Sequence, residues 1–415
     1  MYKLSTYFKF FIINNKISIE FLCGLLVVLP IFSQIYIGVN ISIVWIILPV
    51  AVFTKPRKIK VGYSFFICIV LFLAAIKFSI AGNYSASLRY FTYIAFLTSI
   101  SALEFEEKKH FMYGLAAGVV INLIFGSIQY IGLIFGFWSG ELDVRSWNQT
   151  LWHANPPGGF FTSLPRVAGF TNEPAYLGIY VVMCASLFLF FLKNTNHKSI
   201  ILLCIFFMLL VNSRTAFFSM AWLFAIYAIH LFWMPRLLAI TLAAVSMIMV
   251  PALLYNKIDF PIDYDQFLIE DISVFTRSVP IIWAFEKNNL NYQDYLIGVD
   301  NYQEYTKNVL MSANSYLVFG SQGGFSDPKS LGAALFFDLG IIGVLLYFIF
   351  CAYLMRNSVK AILFFSVINV AFFNVYAFSW PFYWFCIELC LSGVDYHGIS
   401  TSGRKLTRQA DNSLL

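Results

Sequence analysis

The most constraining feature of this sequence is a series of long apolar runs, of which residues 110–136 and 331–353 are two clear examples. Every backbone N–H and C=O group inside a lipid bilayer needs an internal partner, so only helices and closed barrels cross it. Barrel strands would alternate apolar with polar residues, whereas these runs are continuous. The charged fraction is 12%, well below the roughly 25% that a soluble domain carries. We therefore predict an all-α, polytopic transmembrane helical bundle.

The apolar runs also predict the number of spans, because one crossing takes about 20 apolar residues. Residues 19–53, 199–232 and 359–393 are each too long for one crossing, so each is divided into two. We expect about twelve spans in one integral membrane domain of residues 1–415. The predicted spans are residues 19–37, 41–53, 62–81, 88–103, 110–136, 174–192, 199–211, 215–232, 235–254, 331–353, 359–375 and 376–393.

The distribution of lysine and arginine predicts the orientation of these spans. Cytoplasmic loops of membrane proteins are enriched in both residues. If the chain starts inside and alternates sides, every inside segment contains basic residues, and together these segments hold most of the 27 in the chain. No small-residue cleavage site follows the first run, so we expect that run to be retained. Two long outer loops remain, residues 137–173 and 255–330, and loops of this length are usually functional.

The end of the first long loop carries a motif that could bind an anion. Asn172 is a good helix N-cap, and Pro174 suits a first helical turn. The free N–H groups and the dipole of that helix favour anions, and Gly169 lets the chain turn so that Arg166 can face them. Glu173 then lies within reach as a base. Residue types leave a second interpretation open, in which Glu173 caps its own helix while Arg166 pairs with it or contacts headgroups.

Two further arginines are candidates for anion binding. Arg214 interrupts the apolar stretch 199–232, and a charge at the centre of a bilayer is costly, so we expect a turn that places it at the outer surface. In the second loop, Arg277 lies beside an apolar helical face, which predicts a helix lying flat on the membrane. The alternatives are a simple tight turn at Arg214 and a lid helix with a solvated Arg277. The residues of that apolar face are Leu268, Ile272, Phe275, Val279 and Ile282.

Several common chemistries lack their sequence signals. The chain has no Gly-rich phosphate loop, no HExxH or CxxC spacing and no GxSxG motif. Its seven cysteines all fall in apolar runs, which favours core packing over disulfides. Asp263 and Asp265 could hold a metal, but such pairs are common in acidic loops. We therefore predict no metal and no cofactor, and the positive net charge needs no nucleic acid to explain it.

The motifs resemble those of the Wzy-type polymerases of bacterial O-antigen, colanic acid and capsule, in the superfamily that also contains the O-antigen ligases. The resemblance rests on Arg166–Phe170 with Asn172–Tyr176, on Asn212–Ala216, and on Asp338–Gly343. It implies a GT-C-like glycosyltransferase in the bacterial inner membrane with its active site facing the periplasm. Such an enzyme moves the growing glycan from undecaprenyl pyrophosphate onto a new lipid-linked repeat unit, without a metal or a nucleotide sugar. A chain-length regulator protein is a further partner that the resemblance implies.

The resemblance also suggests roles for individual residues. Arg166, Arg214 and Arg277 would neutralise the pyrophosphate, and Glu173 would deprotonate the acceptor hydroxyl. His153 is the alternative base. The predicted substrate-binding residues are Arg89, Arg145, His153, Tyr176 and Asn314.

Two departures from the family pattern bear on this assignment. Ligase relatives have a histidine late in the large loop, where this chain has Ser312–Tyr316 without one. The arginine-x10-glycine spacing of some polymerases is also absent. The eleventh residue after Arg166 is Leu177, and a glycine follows only one residue later, at Gly178. A ligase is the alternative within the class, and a flippase for lipid-linked oligosaccharides is the alternative outside it. A flippase should have short loops on both sides and charges in mid-membrane, so the long outer loops favour an enzyme.

Overall fold

A computed structural model of the chain describes about two-thirds of its residues, mainly the helices and the segments that adjoin them. The described residues are 18–30, 34–36, 40–54, 63–137, 161, 164–171, 174–191, 197–232, 235–255, 280–282, 284–285, 290–312, 328, 330–354, 356–373, 375 and 377–392.

Helices dominate the described part of the chain, and each predicted span contains one. These helices are α1 (Ile19–Val28), α2 (Val44–Phe53), α3 (Tyr63–Ile80), α4 (Tyr84–Ala102), α5 (Phe105–Phe135), α6 (Pro174–Phe190), α7 (His197–Val211), α8 (Arg214–Phe232), α9 (Arg236–Tyr255), α12 (Leu331–Leu354), α13 (Val359–Phe372) and α14 (Pro381–Ser392). Two shorter helices, α10 (Tyr292–Ile297) and α11 (Tyr302–Ser312), fall in the second long loop, and a 3-10 helix covers Ala377–Ser379.

Three of the described helices are long and apolar enough to cross a membrane. They are Phe105–Phe135, Arg214–Leu231 and Leu331–Leu354. These helices indicate a helical membrane protein, as the apolar runs predict. The number of spans and the GT-C-like arrangement remain predictions.

One predicted span differs from the structure in its second half. Helix α1 ends at Val28, and Leu29 leaves the helical conformation just before Pro30, which cannot continue the hydrogen-bonding pattern. Strands β1 (Gln34–Tyr36) and β2 (Asn40–Ser42) then pair antiparallel, with Ile35 opposite Ile41. The predicted span 19–37 is therefore a ten-residue helix followed by the first strand of a short hairpin. A continuous apolar run does not distinguish a helix from a strand by its periodicity.

The chain divides into two compact units. The first contains the described parts of residues 1–68, 91–184 and 202–218, and the second contains those of 69–90, 185–201 and 219–415. In the first unit, α1 packs closely along α5. A Cβ atom on Gly24 would overlap the Phe111 carbonyl oxygen, and one on Gly114 would overlap that of Phe21. Small residues at such positions let helix backbones approach each other, which is how helices associate in membranes.

Helix α5 is the longest described helix of the first unit, and both of its ends carry a capping motif. At its start, Glu104 and Glu107 form a capping box in which each side chain bonds the other residue's backbone N–H. At its end, Gly136 adopts a left-handed conformation with φ +74°. The predicted span began five residues later, at 110, because the charged turn 104–109 is not apolar.

In the second unit, two glycines allow an unusually close crossing of backbones. Gly340 has φ +66° and interrupts the helical geometry of α12, and Gly298 has φ +85° at the end of α10. A Cβ atom on Gly340 would overlap the Leu296 backbone, and one on Gly298 would overlap the Phe337 carbonyl oxygen. An apolar cluster surrounds this crossing; it contains Ala284, Leu290, Val299, Tyr302, Ala333, Phe336 and Phe337. The crossing fixes α10 and the start of α11 against α12.

Candidate functional site

The segment that contains Arg166 and the turn that precedes Arg214 lie against each other in the first unit. The backbone N–H of Val167 donates to the carbonyl oxygen of Leu210 at 3.3 Å. Helix α7 ends one residue after Leu210, and α8 begins at Arg214. The chain therefore breaks its helix where the sequence predicts a turn. Two of the arginines that we expected to bind anions stand on segments that are in direct contact.

Asn212 holds this contact together. Its side-chain amide donates to the carbonyl oxygens of Phe161 at 2.8 Å and Leu164 at 2.9 Å, and its oxygen accepts from the Phe161 N–H at 2.8 Å. Asn212 is fully buried and has φ +46°, a left-handed conformation that asparagine tolerates better than most residues. The side chain thus replaces backbone partners for a non-helical segment. Such a segment is tolerated at membrane depth only where protein surrounds it.

The other side of the Arg166 segment is held by two buried amides of α5. The Asn122 oxygen accepts from the Phe170 N–H at 2.7 Å, and the Gln129 oxygen accepts from the Gly169 N–H at 2.9 Å. Asn122 also donates to the carbonyl oxygen of Val28 at 2.9 Å, at the end of α1. Gly169 has φ +59°, and a Cβ atom there would come within 2.6 Å of the Asn122 oxygen. The glycine of the predicted motif is therefore required by both conformation and space.

The arginines themselves differ in exposure. Arg166 is half-buried, and Arg214 is exposed as the first residue of α8. Helices α6 and α8 pack closely beside these residues, since a Cβ atom on Gly178 in α6 would overlap the Cβ atom of Ala216 in α8. Tyr176 is half-buried in the first turns of α6. The arrangement places Arg214 at a helix N-terminus, where N–H groups also favour anions.

Several predicted site residues lie outside the described part of the chain. Glu173 precedes the first residue of α6 directly, but neither it nor Asn172 is among the described residues. The same holds for most of the predicted amphipathic helix. The further residues outside the description are Arg145, His153, Asp263, Asp265, Arg277 and Asn314. Their roles stay predictions.

A polar cavity of about 450 Å³ lies in the second unit. One wall is the turn between α3 and α4 and the first turns of α4, and the other is the start of α11 with the kink of α12. Arg89, one of the predicted substrate-binding residues, lines this cavity. The other charged or amide side chains of its lining are Asn83, Asp300, Asn301, Gln303, Glu304 and Asp338. We call it the Arg89 cavity.

Lys77 lies behind one wall of the Arg89 cavity and forms hydrogen bonds with the backbone of that wall. Its ammonium donates to the carbonyl oxygens of Ile297 at 2.9 Å and Val299 at 3.0 Å, and to that of Asp338 at 3.3 Å. It also lies 4.0 Å from the Asp300 carboxylate, and its side chain is 12% exposed. Three carbonyl groups around one ammonium satisfy all three of its donors. Lys77 therefore binds the end of α3 to the chain that follows α10 and to α12.

Asp338 has a second link to the cavity wall through Tyr90. The Tyr90 hydroxyl donates to the Asp338 carboxylate at 2.8 Å, and both residues are at least nine-tenths buried. Asp338 opens one of the motifs that carry the resemblance, but neither it nor Lys77 is among the predicted site residues. A charged residue inside an apolar run is the signal that would have identified both.

Burial also affects an acidic residue beside this wall, in helix α10. It raises the pKa of the Asp294 carboxyl, and the neighbouring Asp300 carboxylate raises it further. A hydrogen bond from the backbone of Asn291 and the Lys77 ammonium act in the opposite direction. Among the described residues, no group of three His, Cys, Asp or Glu side chains has an arrangement that could hold a metal ion.

The chain matches no protein-family model, no curated protein and no solved structure in comparisons with each.

Proposed function

We propose that this protein is a glycosyltransferase of the bacterial inner membrane whose substrates are oligosaccharides linked to a lipid pyrophosphate. The observation that carries the proposal is the contact between the Arg166 segment and the turn before Arg214, made through Val167 and Leu210 at 3.3 Å. A lipid pyrophosphate needs cations at a membrane-embedded site, and two arginines on touching segments can provide them. Arginine is costly in a membrane, and a packing role alone would not require two.

Within this class, the function that we propose is that of a polysaccharide polymerase of the Wzy type acting at the periplasmic face. A hydroxyl oxygen of the acceptor sugar attacks the anomeric carbon of the donor glycan. The bond from that carbon to the pyrophosphate oxygen breaks, and undecaprenyl pyrophosphate leaves with the bonding electrons. The acceptor proton passes to a base, for which Glu173 is the candidate and His153 the alternative. Arg166, Arg214 and Arg277 stabilise the charge that develops on the leaving group.

Deleting the gene in its own organism and separating the surface glycan on a gel tests this proposal. For a polymerase, the ladder of glycan lengths collapses to a single repeat unit. Polymer that stays on the lipid carrier and is not transferred to the lipid A core would instead identify a ligase. Loss of every outward-facing unit would identify a flippase. Either of these two results contradicts the proposed polymerase.

Complementing the deletion with point variants tests the role of the arginines. Arg166→Ala and Arg214→Ala should each abolish chain extension while the protein stays in the membrane at its normal amount, measured by immunoblot. Arg356→Ala is the matched control, because Arg356 is exposed in the predicted cytoplasmic turn between α12 and α13. Normal ladders in both arginine variants would show that neither residue binds the pyrophosphate.

A further inference from the structure

The lining of the Arg89 cavity is suited to a hydroxyl-rich ligand. Its volume of about 450 Å³ lies within the range of roughly 300–1,000 Å³ that small-molecule sites occupy. Gln303 and Glu304 line it with exposed side chains, and Asn301 contributes a further amide. Amides both donate and accept, and carboxylates accept, so together they match the donor and acceptor character of sugar hydroxyl groups. The rings of Phe78 and Tyr302 add apolar surface to the lining.

The charges of the cavity exclude an anionic ligand. Among the described residues that line it, three carboxylates (Asp300, Glu304 and Asp338) stand against the single guanidinium of Arg89. Lys77, behind the wall, adds one more positive charge beside Asp300, and the carboxylates still outnumber the cations. A pyrophosphate or a uronic acid placed there would meet like charge, which is unfavourable in a partly buried site. The cavity therefore differs in electrostatic character from the pair of arginine segments in the first unit.

We propose that the Arg89 cavity binds a sugar ring that carries no carboxylate or phosphate. The assignment of that ring to the acceptor oligosaccharide rests on the proposed function, since the donor's pyrophosphate requires cations. Arg89 and the amides then hold hydroxyl groups of the ring, and Glu304 and Asp300 accept hydrogen bonds from others. The site selects for sugars by charge as well as by shape.

The backbone around this site is held by hydrogen bonds between segments that are distant in the sequence. Lys77 holds three carbonyl oxygens that belong to both sides of the backbone crossing, and Tyr90 holds the buried Asp338 carboxylate at 2.8 Å. At the rim, the Asn83 amide donates to the Asp300 carbonyl oxygen at 3.2 Å. A backbone that is already held in place lowers the entropy cost of binding, which helps a small sugar to be recognised. These contacts make Lys77 and Tyr90 positioning residues rather than ligand contacts.

Saturation-transfer NMR on the full chain in lipid nanodiscs tests the proposal. Nanodiscs are needed because maltoside detergents carry sugar headgroups that would compete. The probes are glucose, galactose and N-acetylglucosamine, with glucuronate as the anionic counterpart and inorganic pyrophosphate followed by phosphorus line width. We expect saturation transfer to at least one uncharged sugar and none to glucuronate. Pyrophosphate should bind with no dependence on this cavity.

Two tryptophan substitutions in one helical turn make a matched pair. Ser85 is exposed and lines the cavity, so Ser85→Trp fills it without entering the core. Tyr84 precedes it, is 73% exposed and does not line the cavity. Ser85→Trp should reduce the sugar signal to that of empty nanodiscs, and Tyr84→Trp should leave it unchanged. Equal sugar signals in the wild type and Ser85→Trp would overturn the proposal, as would a preference for glucuronate.

Charge selectivity has its own variant. Glu304→Gln keeps the shape of the side chain and removes one negative charge, so glucuronate should gain saturation transfer relative to glucose. If it does not, the lining charges do not select the ligand.

The results separate this inference from the proposed function. Sugar binding that depends on Ser85, together with normal glycan ladders in the arginine variants, would keep the cavity and reject the polymerase. Loss of the glycan ladders in the arginine variants without any sugar binding would keep the polymerase and reject the cavity.

Discussion

The ammonium of Lys77 lies 2.9 Å from the carbonyl oxygen of Ile297, which is 220 residues further along the chain. Two more carbonyl oxygens, those of Val299 and Asp338, complete its hydrogen bonds. This single side chain therefore connects a helix of the first hundred residues with the second long loop and with α12.

Replacing Lys77 should destabilise the protein markedly. Lys77→Met keeps most of the side-chain length but leaves buried carbonyl groups without a donor, which costs about 1–3 kcal/mol for each group left unsatisfied. Lys109→Met is the matched control, since Lys109 pairs with Glu106 on the exposed start of α5 and such pairs contribute about 0–1 kcal/mol. Thermal unfolding followed with a thiol-reactive dye measures the difference, because all seven cysteines are buried. Equal midpoints for the two variants would contradict the role of Lys77.

Gly340→Ala should prevent the correct packing of α12. The new methyl group would overlap the Leu296 backbone, and the combination of φ +66° with ψ −164° is essentially confined to glycine, which adds about 1–3 kcal/mol. Gly136→Ala tests a positive φ without the overlap, because Gly136 has φ +74° and, among the described residues beyond its own helix and chain neighbours, no heavy atom lies within 4 Å of the added Cβ. We expect Gly136→Ala to be folded with a modest loss of stability, and Gly340→Ala to be lost from membranes in expression tests. Similar behaviour of both variants would mean that the crossing tolerates a methyl group.

Two substitutions at Asn212 separate its backbone role from its side-chain role. Asn212→Gly keeps the left-handed conformation and loses the bonds to Phe161 and Leu164, whereas Asn212→Ala loses the bonds and strains the backbone. Both should shorten the glycan ladder, because the Arg166 segment loses its anchor. Asn212→Ala should in addition unfold at a lower temperature than Asn212→Gly, because only alanine is strained at this φ. A full-length ladder in Asn212→Gly would show that the anchor does not position Arg166.

The raised pKa of Asp294 predicts a pH-dependent effect on stability. Because the folded state disfavours the ionised carboxyl, its contribution to stability is lost as pH rises from the ordinary aspartate pKa through the raised one. Asp294→Asn cannot ionise, so its unfolding midpoint should rise relative to the wild type as pH increases across that range. Midpoints measured in parallel at acidic and neutral pH give the comparison. A difference that does not change with pH, or changes in the opposite direction, contradicts this account.

The helices were the most predictable part of this molecule. Each predicted span contains a helix because a long, continuous apolar run, unlike an alternating barrel strand, satisfies its backbone in lipid as a helix. Their ends were less predictable. The Glu104–Glu107 capping box extends α5 into a charged turn, and the hairpin after Pro30 replaces the second half of the first predicted span. Local hydrogen bonds determine where these helices end, and the apolar content of the sequence does not predict such bonds.

The candidate sites were predictable in their residue types and not in their contacts. The Arg166 and Asn212 motifs were recognisable from the sequence, and the need for glycine at 169 followed from the turn. The buried amides of Asn122 and Gln129 were missed, although two amides seven residues apart in an apolar helix share a face. The Arg89 cavity depends on pairings such as Tyr90 with Asp338, 248 residues apart, which no local pattern encodes.

The glycine contacts between α1 and α5 have a consequence for the order of events during synthesis. Helix α1 has ten residues, about 15 Å of helix, and cannot cross a hydrocarbon core of about 30 Å by itself. The Asn122 amide that binds its end is made 94 residues after Val28, which corresponds to about 5–20 s at ordinary rates of translation. Helix α1 therefore completes its packing against α5 well after its own residues have been made.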